Sequence, residues 1–222
     1  MTPRKYELKQ RAEGQAETRQ RIVDAVVALH SEIGPAQTTI SAIAKRAGVE
    51  RLTVYRHFAD ERALYAACSA QFVSEAGPPD PNAWINVPQP IERLRAALLA
   101  FYAYYGRGED MLSHVTRDAR RLPELAASLA PWLEFVAATR QRLVRGWKVR
   151  GRQRLRLSAI VAHALRFETW QSLTREEALA DGEAADLMVA LAVAVTQPVS
   201  RHRGRRTESD RGRGKHRSSN VS

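Results

Sequence analysis

Apolar residues recur every three or four positions along most of the chain, which is the spacing of amphipathic α-helices. The clearest stripe consists of Ile22, Val26, Leu29 and Ile33. It predicts a first helix over about 18–34, with Thr18 as its N-cap. Shorter stripes predict a helix over 40–48, a helix over 51–58 and a fourth helix capped by Asp60. Strand signals are weak, because no alternating run of β-branched and aromatic residues lies between hairpin turns. The pattern therefore predicts an all-α protein.

Proline and glycine divide the chain near residue 80, where a helix cannot continue. The breaking residues are Gly77, Pro78, Pro79, Pro81, Pro88 and Pro90. Helical periodicity returns over about 90–106, 109–120, 123–149, 155–174 and 183–197. We therefore expect a flexible N-terminal arm (1–17), a four-helix head (18–78), a larger helical body (79–198) and a basic tail (199–222). The Arg/Gly/Ser-rich tail lacks the apolar residues that would order it, so we expect it to be disordered.

The composition is that of a globular protein, with 44% hydrophobic and 27% charged residues. The apolar stretch at 187–195 is nine residues long, which is too short to span a membrane. The N-terminus has no apolar core and does not resemble a secretory signal. One cysteine, Cys68, allows no intrachain disulfide and fits a reducing compartment. We expect a cytoplasmic protein that does not enter a membrane.

The formal net charge of +11 is unevenly distributed. Residues 1–78 carry a net +2 and residues 79–198 a net +3, whereas 199–222 carry +6, from eight basic and two acidic residues. Within the body, the segment from Arg140 to Arg156 holds eight basic residues and no acidic one. It is interpreted first as a solvated helix face, with a second nucleic-acid surface or a site for an anionic ligand or acidic partner as alternatives. The tail either attracts polyanions or is a solubilising end.

The segment 38–58 predicts two short helices joined by a tight turn, which is the geometry of a helix-turn-helix. Ala44 and Ala47 are small where the two helices approach each other, and Gly48 supplies a positive φ at the end of the first helix. The second helix presents an outward face of Arg, Thr, Tyr, Arg and His between 51 and 57. Such a helix can enter the major groove of DNA.

Residues 18–72 resemble the N-terminal domain of the tetracycline-repressor (TetR) family of transcriptional regulators. The matching residues are Ile22, Ala25, Leu29, Thr38-Thr39-Ile40, Ile43-Ala44, Ala47-Gly48-Val49, Thr53 to Phe58 and Leu64. The resemblance implies an N-terminal helix-turn-helix head followed by a helical ligand-binding and dimerisation body. It implies a homodimeric repressor that a small hydrophobic or aromatic effector releases from a palindromic operator in double-stranded DNA. The alternative is a protein that coats or compacts DNA without sequence preference, using the tail and the basic cluster.

The resemblance also implies which residues contact DNA. They are Thr39, Tyr55 and His57 on phosphates, Arg51 and Thr53 on bases or backbone, and Arg56 on a base. A guanidinium group can donate to both O6 and N7 of guanine, so Arg56 is the best candidate for reading sequence. Position 61, often Lys in the family, is Glu61 here, and we expect Arg62 to take over its phosphate contact.

The body contains interleaved aromatic and polar residues, and the family resemblance implies a ligand pocket among them. The candidates are Phe101, Tyr105, His114, Trp132, Trp147, His163 and Phe167, although for any one of them a place in the core is the favoured explanation. The spacing of His114 and His163 does not suit a metal site. No nucleophile elbow, phosphate loop or paired-carboxylate pattern occurs, so we expect no enzyme activity, no cofactor and no metal. Apolar faces on the last two helices are expected to pair with their copies in the homodimer.

Overall fold

The computed structural model describes residues 3–197, with side chains from Leu8 onward. The head consists of α1 (Pro3–Glu32), α2 (Ile40–Ala47), α3 (Arg51–His57) and α4 (Glu61–Ala76). The body consists of α5 (Pro90–Arg107), α6 (Glu109–Asp118), α7 (Pro123–Ser128), α8 (Ala130–Val144), α9 (Gly151–Ala164), α10 (Phe167–Gln171) and α11 (Asp181–Ala194). Short 3-10 turns lie at Pro35–Gln37 and Pro81–Ala83, and α10 continues into a π-helical stretch over Ser172–Glu176. No strand occurs among the described residues, and the all-α prediction is confirmed.

The first helix is longer than the apolar stripe predicts. It begins at Pro3, so residues 3–17 are helical, whereas the sequence pattern predicts a flexible arm there. Thr18 is not an N-cap, because its hydroxyl donates to the Gly14 carbonyl oxygen inside the helix, at 2.8 Å. No proline interrupts this polar stretch, and Lys9 and Glu13 form an i,i+4 ion pair at 3.7 Å that supports it. The apolar stripe marks only the part of α1 that packs on the head.

The helix-turn-helix forms as its local sequence predicts. The Thr39 hydroxyl accepts a hydrogen bond from the Ala42 amide at 3.1 Å and caps α2. Gly48 ends α2 at φ 64°, a conformation that costs other residues energy. Asp60 caps α4 through the Ala63 amide at 2.8 Å. These three positions fix where α2 begins and ends and where α4 begins. The helices of the head enclose a small core that includes Val54 and Phe58.

Two of the long segments predicted in the body are each divided into two helices. Segment 123–149 breaks between α7 and α8, because Pro131 in the first turn of α8 has no amide hydrogen to continue a preceding helix. Segment 155–174 breaks after α9, where Arg166 is extended. The Tyr102 and Tyr105 hydroxyls donate to the carbonyl oxygens of Ala164 and Leu165 at this break, at 3.1 and 2.6 Å. Buried tyrosines thus satisfy the backbone that the interrupted helix leaves unpaired.

The core of the body joins α5, α8, α9, α10 and α11 around large aromatic side chains. Trp84 reaches this core from the proline-rich linker, so the linker is anchored to the body. No helix of the described part of the chain is long and apolar enough to cross a membrane. The predicted tail over 199–222 lies outside the described residues.

Candidate functional site

The outer face of α3 presents polar and basic side chains, while its inner face packs on the head. Val54 and Phe58 are buried, whereas Arg51, Tyr55 and Arg56 are exposed. Leu52, on the same helix, is also exposed. Helix α3 has only seven residues and packs on α2 and the core of the head. The backbone that carries its exposed side chains is therefore held in place relative to the head.

The residues expected to contact DNA lie on two sides of α3. Thr39, Arg51 and Tyr55 border one groove, which also touches the start of α4. Arg56 and His57 border a second groove against α1 and its Arg19. Two further residues are expected to contact DNA. The Thr53 hydroxyl accepts a 3.4 Å hydrogen bond from Arg56, and Arg62 is exposed at the start of α4. The fold therefore presents all seven residues on the surface around α2, α3 and the start of α4.

Below this surface, a cavity of about 340 Å³ lies where the head meets the body. Its walls come from α4, α6, α7 and α8, with His30 at the end of α1 and Tyr104 from α5. The main lining residues are His30, Tyr65, Cys68, Phe72, Tyr104, Met111, Leu112, Val115, Leu125, Leu129 and Trp132. The remaining lining residues, among them Ser69 and Ser128, are also uncharged. The cavity is therefore apolar, with hydroxyl, thiol and imidazole groups at its edge.

Of the seven residues expected to form a ligand pocket, Trp132 lines this cavity. Phe101, Tyr105 and Phe167 are buried in the adjoining aromatic core, where the rings of Phe101 and Tyr105 pack against Trp132 at 5.8 and 6.4 Å. The other three lie elsewhere. The His114 Nδ1–H donates to the His30 carbonyl oxygen, the Trp147 indole donates to the Leu143 carbonyl oxygen, and His163 is exposed.

Sequence reasoning missed the part of the cavity that the head supplies. His30 lies four residues after Val26 on the buried stripe of α1 and is 3% exposed. Burial lowers the pKa of His30 to about 4, against a smaller opposing effect of Asp118, so its imidazole is neutral at physiological pH. The His30 Nδ1 atom lies 3.4 Å from the Cys68 sulfur. Burial raises the pKa of the Cys68 thiol to about 12, which keeps it protonated and unreactive.

Helix α6 connects the cavity to the turn between α1 and α2 of the head. One face of α6 supplies Met111, Leu112 and Val115 to the cavity wall. The buried Asp118 carboxylate, at the end of the same helix, accepts the Ala36 amide of the head at 2.9 Å and is held by Arg117 at 2.7 Å.

Two further contacts bind α6 to the end of α1. A ring nitrogen of His114 lies 3.0 Å from the His30 carbonyl oxygen. Gly34, at φ +87°, allows α6 to approach closely, because a Cβ there would lie 2.8 Å from the Asp118 carboxylate. Burial raises the pKa of Asp118, but the hydrogen bonds from Arg117 and Ala36 outweigh it and lower the pKa overall.

The last long helix carries an apolar face toward solvent. Leu187 and Leu191 of α11 are 41% and 40% exposed, and the small residues Ala190 and Ala194 lie beside them. This is the seam expected to pair between two copies. No group of three or more His, Cys, Asp and Glu residues suited to a metal ion occurs between 3 and 197.

Comparisons with known proteins agree with this architecture. Residues 22–68 match the family described as bacterial regulatory proteins, tetR family. The HTH-type transcriptional regulator AcrR of Shigella flexneri is 44% identical over 50 residues, which are 22% of this chain and 23% of that regulator. The chain thus matches less than a quarter of the length of this curated relative.

Solved structures extend the likeness to the body. A TetR-like transcriptional regulator from Rhodococcus sp. RHA1 has a TM-score of 0.55 at 22% identity, with 79% of this chain and 93% of that chain covered. The multidrug binding protein EbrR, solved with imidazole, has a TM-score of 0.52 at 18% identity, with 78% and 88% covered. The head carries the sequence match to the tetR family, and 79% of the chain shares the fold of a TetR-like regulator.

Proposed function

We propose that the protein is a DNA-binding transcriptional regulator, a repressor that a small molecule releases from its operator. The observation that carries this proposal is the exposed face of α3, which a capped helix-turn-helix presents to solvent. A protein with this function acts where the chromosome lies, which in bacteria is the cytoplasm.

The contacts on DNA divide between positioning and reading. Thr39, Tyr55, His57 and Arg62 donate to phosphates, which fixes the register of the head but carries no base identity. The Thr39 oxygen caps α2, and its hydroxyl hydrogen remains for a phosphate. Arg51 and Thr53 contact bases or backbone, and Arg56 reads a guanine through its two parallel donors.

The effector site is the cavity at the junction of head and body. Its lining contains no acidic residue, lysine or arginine, and the lowered pKa of His30 leaves that side chain neutral. An ionised ligand would lose its hydration there without gaining a counter-charge, so the effector is an uncharged apolar or aromatic molecule. The multidrug binding protein EbrR, solved with imidazole, has a similar fold, which supports a small-molecule site in this fold.

The cavity affects DNA binding because head residues form part of its wall. A ligand that displaces Met111 or Val115 moves α6, and α6 is hydrogen-bonded to the head through Asp118 and Ala36. The ligand shifts the head only to the extent that it binds one arrangement of α6 better than the other.

The functional unit is a homodimer. One head reads few base pairs, and a two-fold dimer places two heads on two related half-sites. The apolar face of α11, which includes Leu187 and Leu191, is the surface that two copies bury against each other. The operator is therefore palindromic or nearly so.

Selection of bound sequences from random DNA with the full-length protein tests the proposal. We expect an enriched palindromic sequence. The Arg51→Ala/Arg56→Ala variant should enrich none. A control with the same charge change in the exposed turn after α6, Arg120→Ala/Arg121→Ala, should enrich the same sequence as the wild type. Binding without any enrichment would favour the alternative of a DNA-coating protein.

A further inference from the structure

The first half of α1 extends beyond the core of the head. Ile22 is the first buried residue of the helix with a described side chain. Between Leu8 and Arg21, every side chain is exposed except that of Thr18, which is half-buried. This stretch is about 20 Å long, because a helix rises 1.5 Å per residue. It therefore provides the protein with additional surface and adds almost nothing to the core.

One face of this stretch lies opposite the C-terminal end of α3, and the two helices enclose a groove of about 630 Å³. The wall from α1 consists of Ala12, Gln15, Ala16 and Arg19, and the wall from α3 consists of Arg56 and His57. The four residues of α1 recur at intervals of three or four positions, so they form a single face of the helix. The groove is open to solvent along its length, since both of its α3 residues and all four of its α1 residues are at least partly exposed.

The groove is positively charged. Its lining contains two guanidinium groups, an imidazole and a side-chain amide, but no carboxylate. The acidic residues of the same stretch, Glu13 and Glu17, lie about 100° and 140° around the helix from Ala12 and so belong to another face. Glu13 is also paired with Lys9, at 3.7 Å. The acidic residues of α1 consequently do not neutralise the groove.

Arg19 is held in position at the groove. The central carbon of its guanidinium group lies 4.7 Å from the centroid of the Phe58 ring, and Phe58 is buried in the core of the head. Arg19 forms no ion pair with an acidic residue among those that the structure describes. Its donors are therefore free for an external anion, and a phosphate can accept two parallel hydrogen bonds from one guanidinium group.

The DNA backbone is the occupant that fits this groove. The groove begins at Arg56 and His57, which the proposed function places on a base and on a phosphate, so a duplex bound to α3 brings one of its strands to the groove. A small effector prefers an enclosed apolar pocket, and a protein partner needs an apolar centre. The lining offers neither, since it has no apolar side chain larger than alanine.

We propose that the face of α1 formed by Ala12, Gln15, Ala16 and Arg19 is a second DNA-contacting element, which binds the phosphate backbone of the strand beside His57. Arg19 and the Gln15 amide donate to phosphates, and the two small alanines allow the strand to approach the helix closely. These contacts add affinity and position the head, but they carry no base identity. The inference rests on the proposed function, because α3 must first hold the duplex.

The Arg19→Gln variant of the full-length protein tests the inference in DNA titrations at several salt concentrations. On the selected duplex, the slope of log affinity against log salt should be flatter by about 1.8, because each of the two heads loses one phosphate contact worth about 0.9. Hydroxyl-radical footprinting should show the loss of one protected stretch of backbone in each half-site. Arg11→Gln makes the same charge change about 100° around the helix from Ala12, and it should keep the wild-type slope and footprint.

A second pair of variants leaves the contact between Arg19 and Phe58 in place. Ala16→Glu puts an acidic side chain into the groove, and Gly14→Glu puts one on the opposite side of α1, where a Cβ atom meets nothing within 4 Å. Ala16→Glu should weaken binding to the selected duplex and to a duplex of unrelated sequence by roughly tenfold or more, since each head loses a phosphate contact and gains a repulsive charge. Gly14→Glu should bind more tightly than Ala16→Glu to both duplexes.

Equal slopes and footprints for Arg19→Gln and Arg11→Gln would overturn the inference, and so would equal affinities of Ala16→Glu and Gly14→Glu. Either result, together with an enriched palindrome in the selection experiment, would leave the proposed function standing. If the selection enriches no sequence, the proposed function fails, but the same variants on the unrelated duplex still test whether the groove binds a DNA backbone. The two failures are therefore distinguishable.

Discussion

The buried imidazole of His30 makes the stability of the protein sensitive to mild acid. The side chain is 3% exposed, and burial lowers its pKa from 6.5 to about 4 in the folded protein. Below pH 6.5 the unfolded chain binds a proton at this residue, but the folded protein does not do so until about pH 4. The contribution of His30 to the free energy of unfolding is therefore intact above pH 6.5 and is lost progressively as the pH falls toward 4.

The size of this effect follows from the pKa difference. A shift of one unit corresponds to about 1.36 kcal/mol, so the difference between 6.5 and about 4 predicts a loss of about 3 kcal/mol over this pH range. That is a large part of the 5–15 kcal/mol that is typical of folded domains. It also means that protonation of His30 would put a charge at the wall of the cavity.

Urea unfolding followed by circular dichroism at pH values between 4 and 7 measures the effect. His30→Gln keeps a polar side chain of similar length but cannot titrate, so its free energy of unfolding should fall about 3 kcal/mol less than that of the wild type over this range. His163→Gln, on the exposed side of α9, should follow the wild type. Both substitutions leave every carboxylate of the protein in place. Parallel pH profiles for the wild type and His30→Gln would refute the reasoning.

Three further predictions concern the contacts on which the proposed function depends. Asp118→Ala leaves the Ala36 amide without its partner, which should lower the free energy of unfolding by about 2 kcal/mol and uncouple the unfolding of the head from that of the body. Circular dichroism and tryptophan fluorescence, which reports only the body, should then show different unfolding transitions. Coincident transitions would contradict this. Leu191→Arg places a charge in the apolar face of α11 and should give monomers in sedimentation, unlike Leu133→Arg on the exposed side of α8; an unchanged dimer would exclude this face. The neutral probe N-phenyl-1-naphthylamine should bind in the cavity, with a rise in its fluorescence, at least tenfold more tightly than the anionic anilinonaphthalene sulfonate. Ser69→Phe should abolish binding of the neutral probe. Equal affinities of the two probes would argue against an uncharged site.

The head could be predicted closely from the sequence because its signals are local. Thr39, Gly48 and Asp60 each fix a helix end through contacts with residues three or four positions away. The start of α1 could not be predicted in this way. Its first half is polar and is supported by contacts such as the Lys9–Glu13 pair, so it leaves no apolar stripe.

The cavity was largely beyond sequence reasoning because its walls come from distant parts of the chain. The aromatic pattern singles out Trp132, which lines the cavity, but Phe101 and Phe167 have the same pattern and lie in the core. His30 and the Cys68 thiol reach the cavity because α1 and α4 extend from the head to the body. Only the packing of α6 on α1 reveals this, and residues 30 and 114 are 84 positions apart.

The most direct test of the central claim, that the exposed face of α3 reads DNA, is competition of the selected duplex against its single-base variants. We expect Arg56→Ala to lose discrimination at one base position in each half-site, by about 1–3 kcal/mol, because a bidentate contact is removed. Tyr55→Phe, which removes a phosphate contact from the same helix, should weaken binding to all the duplexes and leave their order unchanged. A preference profile for Arg56→Ala identical to that of the wild type would contradict the account.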